Sequence, residues 1–288
     1  MTVSVLVPAS LTREAEDKRE ATRKLGYVAR AATVFRVDRL VVFPDDAGAD
    51  KRGAGFVETV LRYAATPPYL RKEAWGERDE LEYAGVLPPL RVTPRTGSGS
   101  DESGSLRQGI VTEVGSEGRV RVNCGLQHPI SLVVPDDMEP YEGERVTIRV
   151  SSRRPVRAKI VDQPPPGYQV DSADLSTELS RDDAGVRIAT SRHGRQLSVG
   201  RLGDIVADTG ARGMTVAFGS PGRGLPDILD VPVEDLGGGT ERESTVISDE
   251  PDGSRFDLWL NAIPNQGSEV VRTEEALFAV LAALSLTE

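Results

Sequence analysis

The sequence predicts an α/β domain interrupted by a small antiparallel β-barrel, and three observations carry that expectation. Strand-like and helix-like runs alternate over residues 1–92 and again over 164–288, which argues a parallel sheet covered by helices. Residues 93–163 instead hold about five short strand-like runs, with turn signals and no helix-length pattern. The two patterns meet at a flexible polar linker, Gly97-Ser98-Gly99-Ser100-Asp101-Glu102-Ser103-Gly104-Ser105, and at Pro164-Pro165-Pro166-Gly167. With 288 residues, the chain is long enough for each part to bury its own core.

Taken in order, residues 3–7 read as a buried strand. Thr12 is placed to cap a helix from Arg13, whose apolar face is Leu25, Val28, Ala29 and Ala32 at i, i+3, i+4 and i+7. At 100° per residue, Arg19, Arg23 and Arg30 fall within about 40° of one another on the opposite side. Residues 40–43 form the next strand, 55–65 a helix stopped by Pro67-Pro68, and 69–75 a short helix. Inside the insert the strand-like runs are 108–114, 119–123, 130–134, 145–150 and 156–161, separated by turns carrying Gly115, Gly118, Pro135 and Gly143. An OB-type barrel is the leading candidate, and such barrels hold nucleic acid across one face. The α/β pattern then resumes with a helix near 172–180, strand 186–189, helix 202–208, strands 214–218 and 256–260, and a terminal helix over 273–286. Gly237-Gly238-Gly239-Thr240 reads as an exposed loop.

Composition narrows the class of function. A formal charge of −10 comes from 45 acidic against 35 basic residues, and only five of the basic ones are lysines (Lys18, Lys24, Lys51, Lys72, Lys159). Excess acid with few lysines is the pattern of a protein kept soluble in concentrated salt, a halophilic signature. Salt weakens counterion release, but arginine keeps bidentate and stacking contacts, so RNA binding survives if arginines cluster. The densest basic run is Arg149, Arg153, Arg154, Arg157 and Lys159, which the reading assigns to RNA together with Arg19 and Arg23. Cys124 is the single cysteine and is expected to be a small buried apolar residue. Two histidines, one cysteine and no paired ligand motif give metal binding no support. No apolar run reaches about 18 residues, and Met1 leads directly into a strand without a signal peptide. A cytoplasmic location is expected.

Two loops carry the chemistry. Phe218-Gly219-Ser220-Pro221-Gly222-Arg223-Gly224-Leu225 follows an apolar strand; glycine lets a ligand approach the backbone and Pro221 stiffens the turn. It is not a phosphate loop, because no Gly-Lys-Ser/Thr follows. Asn261-Ala262-Ile263-Pro264-Asn265-Gln266-Gly267-Ser268-Glu269 links the last strand to the terminal helix, where Thr273 is placed to cap and Glu274 and Glu275 suit the positive helix end. Exposed amides around an Ile-Pro pair suit a small, flat, polar ligand.

This pair of loops resembles the SPOUT superfamily of RNA methyltransferases, whose Gly-x-x-x-x-Gly-Leu and Ile-Pro-x-x-Gly loops build an S-adenosylmethionine site. The run from Gly26-Tyr27-Val28-Ala29-Arg30 to Val41-Val42 is similar to the family's first motif, an arginine-bearing helix entering a strand, although the family's asparagine near Gly26 is absent. The resemblance covers nearly the whole chain and points to the archaeal and eukaryotic branch with an OB-like insertion. It implies a trefoil knot, a feature that general topology rules disfavour. It implies S-adenosylmethionine as cofactor, held by Thr190, Arg192, Gly219, Gly224, Leu225, Asn261, Ile263, Pro264, Asn265, Gln266, Gly267 and Thr273. It implies RNA, ribosomal or transfer, as substrate, methylated on a uridine base or a ribose 2′-hydroxyl. Arg30 is the catalytic candidate, its guanidinium stabilising anionic charge that develops on oxygen. A homodimer is implied, and Leu277, Val280, Leu281 and Leu284 offer an apolar stripe for it. The alternative is a non-catalytic RNA-binding or assembly factor on the same scaffold. His193 is expected to be structural or to contact RNA.

Overall fold

A computed structural model describes residues 1–45, 52, 55–88, 90, 92, 105–115, 118–135, 138–163, 166–230, 232 and 256–286, with the Arg153 side chain excepted. Two compact units emerge: residues 1–62, 80–89 and 168–288 in one, and 63–79 with 90–167 in the other. The linker at 97–104, Pro164, Pro165 and the loop at 237–243 lie outside the described residues.

The first unit is built on a six-stranded, all-parallel sheet. Its strands are β1 (Val3–Pro8), β2 (Arg39–Phe43), β8 (Gln169–Ser172), β9 (Val186–Gln196), β10 (Met214–Ala217) and β11 (Leu258–Asn261), in the order β11-β9-β10-β1-β2-β8. The central strands are near-continuous apolar runs because both of their faces are covered, as a parallel sheet requires. Val5 sits between Leu40 and Val216 in register, and all three are fully buried. Helix α1 (Lys18–Val34) buries Leu25, Val28, Ala29 and Ala32 as its periodicity predicts, and packs with the terminal helix α7 (Thr273–Leu284). Phe35 meets Phe278 edge-on at 5.9 Å. Lys24, buried at this seam, pairs with Glu14 and lies 3.8 Å from Glu274.

The second unit is a five-stranded antiparallel sheet, β5-β4-β3-β6-β7, formed by β3 (Ser105–Val114), β4 (Arg119–Asn123), β5 (Ile130–Val133), β6 (Arg145–Arg153) and β7 (Val156–Ile160). It curls until its edge strands approach each other, nearly closing. Val111, Val120, Val122, Leu132, Val146, Ile148, Val150 and Ile160 fill its interior with Cys124, which is buried and free as expected. The unit also takes in α3 (Arg71–Trp75), docked where Tyr69 donates to the Gln108 carbonyl at 2.8 Å and Asn123 donates to Glu73 at 2.8 Å.

Several elements differ from the sequence reading. Helix α1 starts at Lys18, because the Asp17 carboxylate accepts the Glu20 amide at 2.7 Å; Thr12 is fully buried upstream, and Asp17 takes the cap position expected of it. The helix expected near 172–180 is the shorter α4 (Leu175–Leu179), preceded by the unanticipated strand β8; the Gln169 amide donates to the Asp38 carbonyl at 2.9 Å, drawing that strand onto the open edge of β2. Strand β9 runs on to Gln196, α5 spans Val199–Arg212, and α6 (Leu225–Leu229) was not anticipated. Thr273 is the first residue of α7 rather than its cap, a place taken by Arg272. The stripe Leu277, Val280, Leu281 and Leu284 is wholly buried within the single chain, so it is not a surface for a second copy.

Candidate active site

Open parallel sheets place ligands beyond the carboxyl ends of their strands, and here three such ends converge. Between Trp259 and Leu260 the β11 partner jumps from Ala189 to Arg195, so residues 190–194 leave the ladder. Gly194 is required for this: a Cβ there would lie 2.9 Å from the Leu260 and Trp259 backbones. With the 218–224 loop after β10 and the 261–271 segment after β11, residues 190–193 line a cleft of about 440 Å3. Thr273, Ala276 and Val280 of α7 close one side.

Hydrogen bonds fix the three segments to one another. The Thr190 hydroxyl donates to the Ala217 carbonyl at 2.9 Å, and Asn261 Nδ2 donates to the Arg192 carbonyl at 2.8 Å. Asn261 Oδ1 accepts the Ile263 amide at 3.0 Å, so one side chain joins two cleft walls. The Thr273 hydroxyl donates to the Gly219 carbonyl at 2.8 Å, tying the terminal helix to the glycine loop. Gly219 itself admits no side chain, since a Cβ would come within 2.6 Å of the Leu225 nitrogen. Arg192 Nε donates to His193 Nε2 at 3.0 Å.

Behind the glycine loop lies a buried polar cluster drawn from that loop and from the ends of β1 and β2. Asp45, with its side chain 2 % exposed, accepts from Arg223 Nε at 3.2 Å and from the Ser10 hydroxyl at 2.5 Å. Ser10 Oγ is also 3.2 Å from Ser220 Oγ. An isolated buried carboxylate would be costly, and Arg223 and Ser10 supply the donors that offset that cost. No spacing in the sequence links positions 10, 45, 220 and 223. The rule that ligands gather at carboxyl strand ends was the one signal that could have grouped them.

Of the sequence-predicted cofactor residues, Thr190, Arg192, Gly219, Gly224, Asn261, Ile263, Gln266 and Thr273 line this cleft. Leu225 is fully buried beneath it, in the core with Leu6, Phe43 and Phe256. Pro264, Asn265 and Gly267 are not part of the lining, and a Cβ on Gly267 would meet no protein atom within 4 Å. Arg30 is exposed on α1 and lies outside the cleft of its own chain, as do the exposed Arg19 and Arg23. In the second unit Arg154, Arg157 and Lys159 are exposed, and the Arg153 side chain lies outside the described residues. Arg149 departs from its expected role: it is buried and donates to Gln163 at 3.1 Å, an internal contact rather than a surface for RNA. Among the described residues no cluster of potential metal ligands exists, and no helix is long and apolar enough to cross a membrane.

Comparison with known proteins gives these features a context. A family described as "Putative RNA methyltransferase" matches residues 2–284. A protein of Haloarcula marismortui is 69% identical over 289 residues, covering 100% of both chains, and one of Halobacterium salinarum is 67% identical over 288 residues, again covering 100% of each. The human 28S rRNA (uridine-N(3))-methyltransferase is 29% identical over 317 residues, spanning 98% of this chain and 77% of the relative.

Proposed function

Because the chain belongs to this family of RNA methyltransferases, and is therefore an enzyme rather than a non-catalytic assembly factor, we propose that it methylates N3 of a uridine in ribosomal RNA, using S-adenosylmethionine. The observation that carries the reading is the whole-length similarity to a human enzyme named for that reaction, together with the cleft that the family-like loops enclose. Strong acidity fits the halophilic source of the two archaeal relatives. The proposal includes the SPOUT-type trefoil knot and the OB-like barrel. The resemblance of the two loops carries the first, and the nearly closed antiparallel sheet supports the second.

The residues present fit the cofactor. The cleft volume, about 440 Å3, is within the range of small-molecule sites, roughly 300–1,000 Å3. Main-chain groups of 219–224 and 261–263 would hold it, with Asn261 and Thr273 fixing their relative positions. When bound, the cofactor supplies an electrophilic methyl group. The protein then has to align a uridine nitrogen with it, an effect of positioning more than of acid catalysis. The uracil oxygens gain negative charge as N3–H is lost, and a guanidinium beside them would stabilise it. Arg30 takes this role from a second copy of the chain, since it is exposed and outside its own cleft. Arg154, Arg157 and Lys159 of the second unit contribute RNA contacts.

The test is methyl transfer to ribosomal RNA from cells that lack this gene, with nucleosides resolved by mass spectrometry. The reading predicts 3-methyluridine at one position. Ribose-methylated product, or no transferred methyl, would overturn it.

A further inference from the structure

We propose that Arg223 is the anion-binding residue of the cleft, held from behind by Asp45 so that its two terminal amino groups grip the carboxylate of an amino-acid-bearing ligand. The inference rests on the methyltransferase reading above and adds a residue to that site. Arg223 lines the cleft with its side chain 22 % exposed, and its contact with Asp45 is made through Nε, at 3.2 and 3.3 Å to the two carboxylate oxygens. A guanidinium has five donors in a rigid fork. Spending Nε on a buried partner fixes the plane of the group and leaves the terminal fork for a second carboxylate.

The buried side of the arrangement has the character of a support. Asp45 is nearly inaccessible and accepts from the Ser10 hydroxyl, itself 3.2 Å from Ser220 Oγ, so the carboxylate is turned away from a ligand in the cleft. Its burial is tolerated because Arg223 and Ser10 donate to it, and in return it removes the rotational freedom that a long side chain would lose on binding. A recessed guanidinium reached through the cleft suits a small terminal carboxylate better than a backbone phosphate flanked by ribose. In strong salt, long-range attraction is screened and directional donors carry more of the recognition.

Calorimetry on the full chain in concentrated KCl tests this with two probes, S-adenosylhomocysteine and 5′-methylthioadenosine, which lacks the amino acid. Arg223→Gln should weaken the first by roughly tenfold to a hundredfold, the worth of charge-assisted hydrogen bonds, and leave the second unchanged. Asp45→Asn should weaken the first less and spare the second. Because Arg223→Gln leaves Asp45 without its cation, Arg223→Lys is the second variant: it keeps a charge near Asp45 but lacks the planar fork, and should lose part of the same increment. Equal losses for both probes, or none for either, would overturn the proposal, as would a defect confined to the KM for RNA. If the wild-type protein binds neither probe, the methyltransferase reading fails and this inference with it.

Discussion

Replacing Thr273 by valine removes one hydroxyl donor and keeps the side-chain shape. The bond lost, to the Gly219 carbonyl at 2.8 Å, has near-ideal length for O–H···O. Thr273 is 5 % exposed, so the new methyl stays largely out of water, while the carbonyl loses its partner. Leaving a buried acceptor unsatisfied costs about 1–3 kcal/mol. Gly219 is half-buried and water can reach it, so the lower end applies, about 1 kcal/mol. That corresponds to a fall in melting temperature of about 2–4 °C for a protein of this size. The same figure bounds the effect on the cleft: a loop loosened by about 1 kcal/mol can reduce ligand affinity by at most roughly fivefold. Scanning fluorimetry measures the first effect and titration with S-adenosylhomocysteine the second. If neither quantity moves, the hydroxyl does not hold the loop; a loss beyond a hundredfold would show direct ligand contact instead of a tether.

Two other outcomes follow from the same geometry. Burial pushes the Asp257 carboxyl up, but the Arg187 side chain and amide that donate to it at 2.6–3.0 Å outweigh this and hold it below the usual range. A depressed folded value means stability that is present above the unfolded pKa, about 3.9, and lost as pH falls through the folded one. Acid titration of unfolding free energy should therefore show a limb in wild type that Asp257→Asn lacks; Glu274, raised by burial, acts with the opposite sign and is common to both proteins. Arg30→Ala should melt within about 0.5 kcal/mol of wild type, being an exposed change, yet slow single-turnover methylation by roughly a hundredfold at saturating RNA. Equal rates would remove Arg30 from the chemical step.

The extent to which the site was legible in the sequence follows from how local each signal was. Strands β1, β2 and β10 are buried on both faces, so continuous apolar runs announced them. The glycine loop and the Asn261–Ile263 turn were visible because their roles depend on the backbone of contiguous residues. Strand β8 was not, since Gln169-Val170-Asp171-Ser172 is a polar edge with one buried residue. Helix α6 is five residues long, too short for a 3.6-residue period to register. The polar stretch 190–196 hid the continuation of β9, which is extended only because β11 resumes pairing at Arg195. Arg149 and Lys24 show the limit of counting charges: both are buried, and only the fold reveals Gln163 and Glu14 as their partners. The Ser10–Asp45–Ser220–Arg223 cluster joins Ser10 to Ser220, 210 residues on, so no window on the chain contains it.

The central claim is that the cleft beyond β9, β10 and β11 is the S-adenosylmethionine site, and the most direct measurement is calorimetric titration of that ligand in concentrated salt into wild type and Asn261→Ala. Asn261 joins the Arg192 and Ile263 walls with two hydrogen bonds, each worth about 1 kcal/mol. The account predicts micromolar binding to wild type, weakened by roughly tenfold or more in the variant. No heat with wild type, or the same affinity in both proteins, would contradict it.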